Sequence, residues 1–242
     1  MKRFSWKCLA TRLAVAATAV GCLCPGLAPA AEHAPTKPSS DLNRPFKKKH
    51  LDVEQWLKRF ERPDREVYHQ RERIVSAMHL HPGMRVADIG AGTGFFTLLF
   101  ARAVGPRGRV YAVDISPGFL DYIRQRARKA GLTNIVTVRG SDRSVKLPKR
   151  SIEVAFICDT YHHFEQPQAM LTSIAQALEP GGALFLIEFH RIPGKSSQWI
   201  LNHVRAGEEV FTREIEAAGF RKVESYDLLK ANYMIRFERE KR

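Results

Sequence analysis

Glycines and one carboxylate are grouped in a short stretch of the chain, residues 86–97, which reads VADIGAGTGFFT. Asp88 comes first, and the loop after it consists of Gly90, Ala91, Gly92, Thr93 and Gly94. Apolar residues on both sides predict a strand before this loop and a helix after it. Glycines let a backbone turn sharply and approach a ligand closely, and the helix that follows presents its positive N-terminus. The stretch therefore predicts a ligand-binding loop.

The spacing in this loop departs from the dinucleotide-binding fingerprint G-x-G-x-x-G. That fingerprint places Gly or Ala five positions after its first glycine, where helix and strand must pack closely. The residue at that position here is Phe95, and Asp88 precedes the loop. A carboxylate at this point would repel a pyrophosphate, whereas it suits a ligand that carries an ammonium or sulfonium group. The pattern therefore argues against a nicotinamide-dependent oxidoreductase, which stays the least favoured alternative.

Two more carboxylates follow the next two predicted strands. Asp114 ends the strand VYAVD, and Asp142 follows the third strand. Ligands of open α/β sheets bind outside the carboxyl ends of the strands, so we expect all three acids to face one ligand. Asp114 can accept both hydroxyls of a ribose, Ile115 offers an apolar face to a purine, and Asp142 can accept from the amine of adenine. Asp142 alone is equally typical of a surface carboxylate, and its neighbour Arg143 is included in the predicted site.

Candidate catalytic side chains follow the fourth predicted strand, in the sequence CDTYHHFEQP. They are Tyr161, His162 and His163, preceded by Asp159. Histidine is suited to accept a proton near neutral pH, and we prefer His162 as the base over His163, which equally suits a packing role. Asp159 is expected to contact the ligand or to cap the next turn. No metal site is expected, because adjacent histidine side chains should diverge and no third ligand stands at helical spacing.

Further residues are candidates for the rest of the pocket, although each alone is typical of ordinary packing or of a solvated surface. Those at the end of the fifth predicted strand and just beyond it are Glu188, Phe189, His190, His203 and Arg205. Those in the predicted N-terminal helices, which would form a lid, are Trp56, Phe60, Arg65 and Tyr68.

Strands and helices alternate through most of the chain. The predicted strands are 85–89, 110–113, 135–138, 154–158 and 183–189, followed by a terminal hairpin of 223–229 and 233–237. The predicted helices are 52–60, 64–80, 95–104, 116–131, 167–178 and 208–218. The strands are apolar throughout instead of alternating, which is typical of a parallel sheet covered on both faces. The pattern predicts a three-layer α/β/α sandwich.

Taken together, the motifs DIGAGTG, VDIS, GSD and LEPGGALFLIEF resemble the class I S-adenosylmethionine-dependent methyltransferases over roughly residues 64–237. Small-molecule enzymes such as the quinone-biosynthesis C-methyltransferases are the most similar subgroup. The resemblance implies a Rossmann-like sheet of seven strands in the order 3-2-1-4-5-7-6, with strand 7 antiparallel. It also implies S-adenosylmethionine as the cofactor, with Asp88 near its methionine amino group, Asp114 at the ribose and Asp142 at the adenine amine. The implied partner is a small-molecule methyl acceptor.

The N-terminal segment has the three parts of a secretory signal. Residues 1–12 are cationic, residues 13–24 are apolar, and Ala28-Pro29-Ala30 supplies a cleavage site. We therefore predict a signal peptide over 1–31 and export, with an uncleaved anchor or a lipidated Cys22 as alternative membrane attachments. Residues 32–50, rich in Pro, Ser and Lys, predict a flexible linker, 51–82 the lid helices and 83–242 the cofactor-binding domain.

The charge of the chain bears on its partners. Its 242 residues include 39 Lys and Arg against 25 Asp and Glu, a formal net charge of +14. Such a surface favours anionic partners, but we find no target-recognition insertion and expect no specific nucleic acid. Cys158 is the only cysteine after residue 24, so the predicted domain has no internal disulfide. Because S-adenosylmethionine is made in the cytoplasm, an exported non-catalytic binding module is the second hypothesis.

Overall fold

A seven-stranded sheet in the order β3-β2-β1-β4-β5-β7-β6 organises the part of the chain that the computed structural model describes, residues 40–48 and 50–240. Its strands are β1 Arg85–Ile89, β2 Arg109–Asp114, β3 Ile135–Arg139, β4 Ile152–Cys158, β5 Leu178–Phe189, β6 Phe220–Tyr226 and β7 Asn232–Arg239. The first five strands are parallel, and β7 runs antiparallel between β5 and β6. The predicted Rossmann-like fold and its strand order are confirmed.

Helices cover both faces of the sheet. They are α1 Val53–Phe60, α2 Glu66–His69, α3 Arg71–Ala77, α4 Phe95–Val104, α5 Pro117–Lys129, α6 Pro167–Ala177, α7 Gln198–His203 and α8 Glu208–Ala217. Successive residues of β4 point into two different buried clusters: Val154 and Phe156 pack with α3 and α4, whereas Ala155 and Ile157 pack with α6 and α8. Since both faces are buried, the central strands are apolar throughout. None of the helices in the described ranges combines the length and apolar composition that a membrane span requires.

Four elements differ clearly from their prediction. Strand β5 begins at Leu178, five residues before the predicted start at 183. The predicted helix 64–80 is divided into α2 and α3 at Gln70, whose backbone leaves the helical region. The strand predicted at 223–229 lies earlier, as β6. Its bounds were misplaced because this edge strand is mostly exposed and lacks the apolar pattern that marks the central strands. Helix α7 was not predicted, since none of its residues is buried and it has no apolar periodicity to detect.

The second half of the predicted linker is folded. Asn43 is 6% exposed, and its Nδ2 donates to the carbonyl of His163 at 2.8 Å and to Glu165 at 2.9 Å. Lys47 Nζ also lies 2.6 Å from the Glu165 carboxylate. The prediction of a flexible linker up to residue 50 is therefore wrong for residues 42–47, which composition marked as polar but which a few specific contacts hold in place. The predicted signal peptide, 1–31, lies outside the described residues.

Candidate active site

A cavity of about 720 Å³ opens at the carboxyl ends of β1, β2 and β4. The strand order reverses between β1 and β4, and such reversals are where open α/β sheets bind ligands. The volume lies within the range of small-molecule and cofactor pockets. Of the predicted cofactor residues, those that line this cavity are Asp88, Gly90, Ala91, Gly92, Thr93, Asp114, Ile115, Asp142 and Asp159.

The loop between β1 and α4 needs its glycines for backbone conformation and for space. Gly90, Gly92 and Gly94 have φ angles of +73°, +52° and +78°, in the left-handed region that other residues rarely adopt. A Cβ on Gly90 would lie 2.2 Å from a methyl carbon of Thr160, and one on Gly94 would lie 2.5 Å from Ile123. Gly92 faces the cavity, with the Phe60 ring 3.4 Å from its Cβ position. The loop is thus fixed from behind and open on its ligand side.

Asp114 is held rigidly at the end of β2. Its carboxylate accepts from the backbone N–H groups of Gly92 at 2.9 Å and Ser116 at 2.8 Å, and the residue is only 7% exposed. Burial raises the pKa of this group to about 6, although those two hydrogen bonds lower it. Each carboxylate oxygen keeps a second lone pair, so the geometry leaves room for two further donors such as the hydroxyls of a ribose.

Asp88 is the more buried of the two acids. It is 4% exposed, and the hydroxyl of Thr97 donates to its Oδ2 at 2.5 Å. Burial, together with the negative charge of Asp114, raises the pKa of Asp88 to about 7, although the hydrogen bond from Thr97 lowers it. Among the described residues no cationic side chain pairs with Asp88. A bound cation would stabilise the ionised form of this carboxylate and lower its pKa.

The two predicted residues after β3 are placed differently. Asp142 is exposed but lines the cavity on the same side as Ile115 and Ser141. Arg143 is exposed and does not line it, so its place in the site stays a prediction. The loop turns after Asp142, where the backbone N–H of Arg143 donates to the Ser141 hydroxyl at 3.3 Å.

Asp159 already has protein partners. Arg65 Nη2 donates to its Oδ2 at 2.6 Å, and Asn232 Nδ2 donates to its Oδ1, also at 2.6 Å. Arg65 in turn donates to the carbonyl of Phe60 at 2.8 Å, which connects β4 to the end of α1. Asp159 lines the cavity, but one of its oxygens anchors Arg65 of the N-terminal segment and the other anchors Asn232 of β7.

Aromatic rings from the N-terminal segment cover the cavity. Phe46 lies 4.7 Å from Trp56, and Trp56 lies 5.3 Å from Phe60, measured between ring centroids. Both Phe46 and Phe60 also contact Phe119 of α5, at 6.0 and 6.1 Å. The predicted lid residues Trp56, Phe60 and Arg65 therefore do border the cavity, whereas Tyr68 packs on Phe95 instead.

Glu61 ties this cover to the glycine loop and was not predicted from the sequence. Its carboxylate accepts from the hydroxyl of Thr93 at 2.8 Å and pairs with Arg126 of α5. Arg126 also donates to the Thr93 carbonyl at 3.1 Å. No local pattern identifies such a residue, because its partners lie 32 and 65 positions away.

His162 lies at the other end of the cavity with a carboxylate behind it. Its Nδ1 is 2.8 and 2.9 Å from the two oxygens of Glu188, which also accepts from its backbone N–H at 3.1 Å. His162 is 1% exposed and Glu188 is fully buried. The Glu188 contact places the proton on Nδ1 and leaves Nε2 as an acceptor, and Nε2 is buried without a partner among the described residues.

Two further imidazoles surround His162. The ring centroid of His163 is 4.3 Å away, that of His203 is 5.0 Å away, and the two lie 5.3 Å from each other. Burial and then the neighbouring positive charges lower the pKa of His163 to about 2 and that of His203 to about 4. The expectation that the adjacent histidines diverge with no third ligand nearby was wrong, because the unpredicted helix α7 brings His203 to them.

Tyr161 points away from the cavity. It is fully buried, and its hydroxyl donates to Glu214 at 2.8 Å while its ring packs on Phe211. Arg205 donates to the same Glu214 carboxylate at 2.7 and 2.5 Å. The assignment of Tyr161 as a catalytic residue was wrong: the short 3-10 turn 161–163 directs it to the α8 side of the sheet and His162 to the cavity.

Comparison with known proteins agrees with this fold. Residues 86–182 match a protein-family model described as "Methyltransferase domain". The chain is 33% identical over 120 residues to the ubiquinone/menaquinone biosynthesis C-methyltransferase UbiE of Shewanella frigidimarina, covering 49% of this chain and 48% of that protein. The corresponding UbiE of Shewanella baltica is 32% identical over 111 residues, or 46% and 44% of the two chains. The chain thus matches about half the length of these curated relatives.

Solved structures share the architecture at lower identity. A SAM-dependent methyltransferase from Aquifex aeolicus superposes with a TM-score of 0.70 at 23% identity, covering 78% of this chain and 99% of that one. The [4+2]-cyclase SpnF gives 0.62 at 16% identity, over 71% and 80% of the two chains. These structures therefore share the fold of the described part of the chain, and residues 86–182 match the methyltransferase-domain model.

We expect the stability of the ligand-free chain to fall as pH rises, because the buried Asp88 must ionise. Its pKa is raised from 3.8 to about 7, so the unfolded chain loses this proton first and stability decreases across that interval. Asp88→Asn should raise the free energy of unfolding by on the order of 2 kcal/mol at pH 8 and by little at pH 4. Urea unfolding at both pH values measures the difference.

The matched control is Asp121→Asn, since Asp121 is exposed on α5. It should change stability by less than about 0.5 kcal/mol at either pH. Equal effects of Asp88→Asn at pH 4 and pH 8 would contradict the burial of an unpaired carboxylate.

Proposed function

We propose that the chain is an S-adenosylmethionine-dependent methyltransferase that methylates a small molecule. The single observation that carries this proposal is the arrangement of Asp88, Asp114 and Asp142, which follow neighbouring strands and line one cavity beside a glycine loop. Two of these acids are buried without an ion-pair partner among the described residues. A fold shared with other enzymes would not identify an activity by itself, whereas this donor set has a chemistry of its own.

The cavity suits the parts of S-adenosylmethionine in sequence. Asp88 would bind the methionine ammonium group. This group would neutralise a buried carboxylate that has no cationic partner among the described residues. Asp114 would accept both ribose hydroxyls with the lone pairs that Gly92 and Ser116 leave free. Ile115 would contact the adenine ring, and Asp142 would accept from its amine. When bound, the cofactor supplies a methyl group on a positively charged sulfur, which an acceptor displaces in line.

The chain's own contribution to the reaction is positioning and exclusion of water. Phe46, Trp56 and Phe60 cover the cavity, so an acceptor bound beneath them would be held against the methyl group. Orientation of two reactants in this way can account for about 7–11 kcal/mol of the barrier. The aromatic cover favours a flat, largely apolar acceptor.

His162 would accept the proton that the acceptor loses. His162 lines the cavity, and its Nε2 is buried without a hydrogen-bond partner among the described residues. Glu188 behind the ring would stabilise the positive charge that forms on it. His163, the other candidate, is a weaker base because its pKa is lowered to about 2. The electron pair of the acceptor's O–H, N–H or C–H bond then forms the bond to the methyl carbon.

A second candidate function keeps the pocket without methyl transfer. One feature of the sequence favours it: residues 1–31 predict export, whereas S-adenosylmethionine is made in the cytoplasm. An exported binding module for S-adenosylmethionine or a related nucleoside fits the same sequence features. A nicotinamide-dependent oxidoreductase is disfavoured by Phe95, which occupies the start of α4 against Tyr68 and Phe96.

Binding of the cofactor is the first test of the proposal. Isothermal titration of the purified chain with S-adenosylmethionine and S-adenosylhomocysteine should give saturable binding at one site. Asp114→Ala removes two charged hydrogen bonds and should raise both dissociation constants by about 100-fold. Asp121→Ala, on the exposed face of α5, should leave them unchanged. Absence of saturable binding to the unmodified chain would refute the proposal.

Methyl transfer is tested with a labelled cofactor and with substitutions at the proposed proton acceptor. Labelled methyl groups from S-adenosylmethionine should appear in small molecules of a cell extract, and His162→Gln should lower the rate by about 10²- to 10⁴-fold while cofactor affinity stays the same. His163→Gln should have a smaller effect on the rate. Binding without any transferred label would favour the second candidate, and an unchanged rate in His162→Gln would exclude His162 as the base.

Export is part of the proposal and rests on residues 1–31 alone. The cationic, apolar and small-residue regions are arranged as in cleaved signals. In a bacterium that expresses the full chain, we expect the protein outside the cytoplasm with its N-terminus at Ala31 or Glu32, as measured by intact mass after fractionation. Changing Ala28 and Ala30 to Arg should block cleavage. Full-length protein confined to the cytoplasm would contradict export.

A further inference from the structure

Three histidines converge at the acceptor end of the cavity. His162 and His163 come from the turn after β4, and His203 is the last residue of α7. One nitrogen from each of the three lies within 4.8 Å of the other two, and all three residues line the cavity. A single proton acceptor needs only one imidazole, so the other two call for a separate explanation.

Two observations indicate that these nitrogens are available to a ligand. His162 Nε2 and His163 Nδ1 are buried, and neither has a hydrogen-bond partner among the described residues. A buried polar atom without a partner costs about 1–3 kcal/mol, so the ligand-free arrangement is unfavourable as it stands. His162 itself is 1% exposed, and its Nε2 is its only nitrogen not in contact with Glu188.

Glu188 has the position of an outer-sphere carboxylate in a histidine metal site. Such a carboxylate accepts from the far nitrogen of a ligating imidazole, fixes its tautomer and makes it a stronger ligand. Glu188 contacts His162 Nδ1 through both oxygens. Trp199 stacks on His203 at 4.5 Å between ring centroids and holds the third imidazole in position.

We infer that His162, His163 and His203 form a binding site for a divalent transition-metal ion of the zinc type, with Glu188 as the outer-sphere carboxylate. Three histidine ligands leave a fourth position open towards the cavity, which is the arrangement of catalytic rather than structural zinc sites. Zinc about 2.0–2.1 Å from each nitrogen requires the nitrogens to be about 3.4 Å apart. The rings must therefore close by up to about 1.4 Å as the ion binds.

The surrounding charges limit how tightly such an ion would be held. Arg59 is the opposing cation, since its guanidinium lies 5.5 Å from the ring centroids of both Trp56 and Trp199. Glu188 is the compensating anion and is closer, in direct contact with His162. The ligands of the site are accordingly three neutral imidazoles, with one negative charge behind them. Ions that prefer imidazole ligands, such as Zn²⁺ and Co²⁺, can bind to such a set.

The inference goes beyond the proposed function and does not depend on it. The ion would occupy His162 Nε2, the atom assigned above as proton acceptor, so both roles cannot operate at once. With the ion present, an acceptor hydroxyl could take the fourth position and lose its proton through coordination, since a bound metal lowers the pKa of such a group. Metal binding without methyl transfer would leave this inference intact, whereas methyl transfer without metal binding would remove it.

Zinc titration of the untagged full chain, after treatment with a chelator, is the test. Wild type should bind one Zn²⁺ that is lost in His162→Ala and in His203→Ala, while Glu188→Gln should weaken binding by about 10- to 100-fold. His81→Ala, at an exposed histidine outside the cluster, should bind as wild type does. Far-ultraviolet circular dichroism and S-adenosylhomocysteine binding would verify that each variant is folded.

Cobalt gives a second readout that loss of folding cannot imitate. Co²⁺ in the wild-type chain should show the visible absorption of four-coordinate cobalt, and addition of Zn²⁺ should displace it. The chain has other potential ligands, among them Cys8, Cys22, Cys24 and His33. Binding that persists in both His→Ala variants would therefore place the ion outside the cluster and overturn the inference. Failure of wild type to bind either ion would overturn it as well.

Discussion

The rest of this site depends on one constraint: two carboxylates are almost completely buried from solvent at one edge of a parallel sheet. Asp88 and Asp114 end neighbouring strands, each less than 10% exposed, and burial raises the pKa of both. Ionised carboxylates in such a place are unfavourable unless a cation or several donors accompany them. The fold provides backbone N–H donors to Asp114 and one hydroxyl to Asp88, which is incomplete compensation. The proposed cofactor, with a positive charge and vicinal hydroxyls, would supply the remainder.

Long-range ion pairs keep this edge closed to bulk water. Glu61 joins the end of α1 to the glycine loop through Thr93 and to α5 through Arg126. Arg65 joins the same region to Asp159 at the end of β4. Both partners of the Arg65 pair are largely buried, so removal of either would leave an uncompensated charge in the interior. These contacts therefore hold the residues that cover the cavity to the strands and the loop that form it.

The sequence predicted what depends on local pattern. Strand β1 and helix α4 were predicted with the observed bounds. A buried strand appears in the sequence as a run of apolar residues, and the turn after it as closely spaced glycines. The acids Asp88 and Asp114 were found for the same reason, since each directly ends or nearly ends an apolar strand. Tyr161 failed because the direction of a side chain in a three-residue turn is set by its packing partners, Phe211 and Glu214, far along the chain.

Pairings between distant elements were beyond sequence reasoning in each case. Asn43, Glu61 and His203 have no periodic neighbours and belong to polar or partly exposed segments, so nothing in their surroundings distinguishes them from solvated residues. Composition made residues 42–47 look like a linker, although one amide and one ring are enough to hold the segment on the fold. The residues at the acceptor end, His162, His163, Glu188 and His203, were each named as candidates from the sequence, but the contacts between them emerged only from the structure.

The acceptor end shows how one pair of residues can serve two chemistries. A carboxylate behind an imidazole makes Nε2 electron-rich, and such a nitrogen binds a proton or a metal ion by the same lone pair. The groups that surround this nitrogen decide which of the two uses is possible. A base needs free access to its substrate, whereas a metal site needs other ligands at comparable distance, and His163 and His203 stand at that distance on either side. An ion bound at His162 Nε2 would therefore replace the role of that nitrogen as proton acceptor, while the carboxylates at the opposite end would still bind the proposed cationic nucleoside.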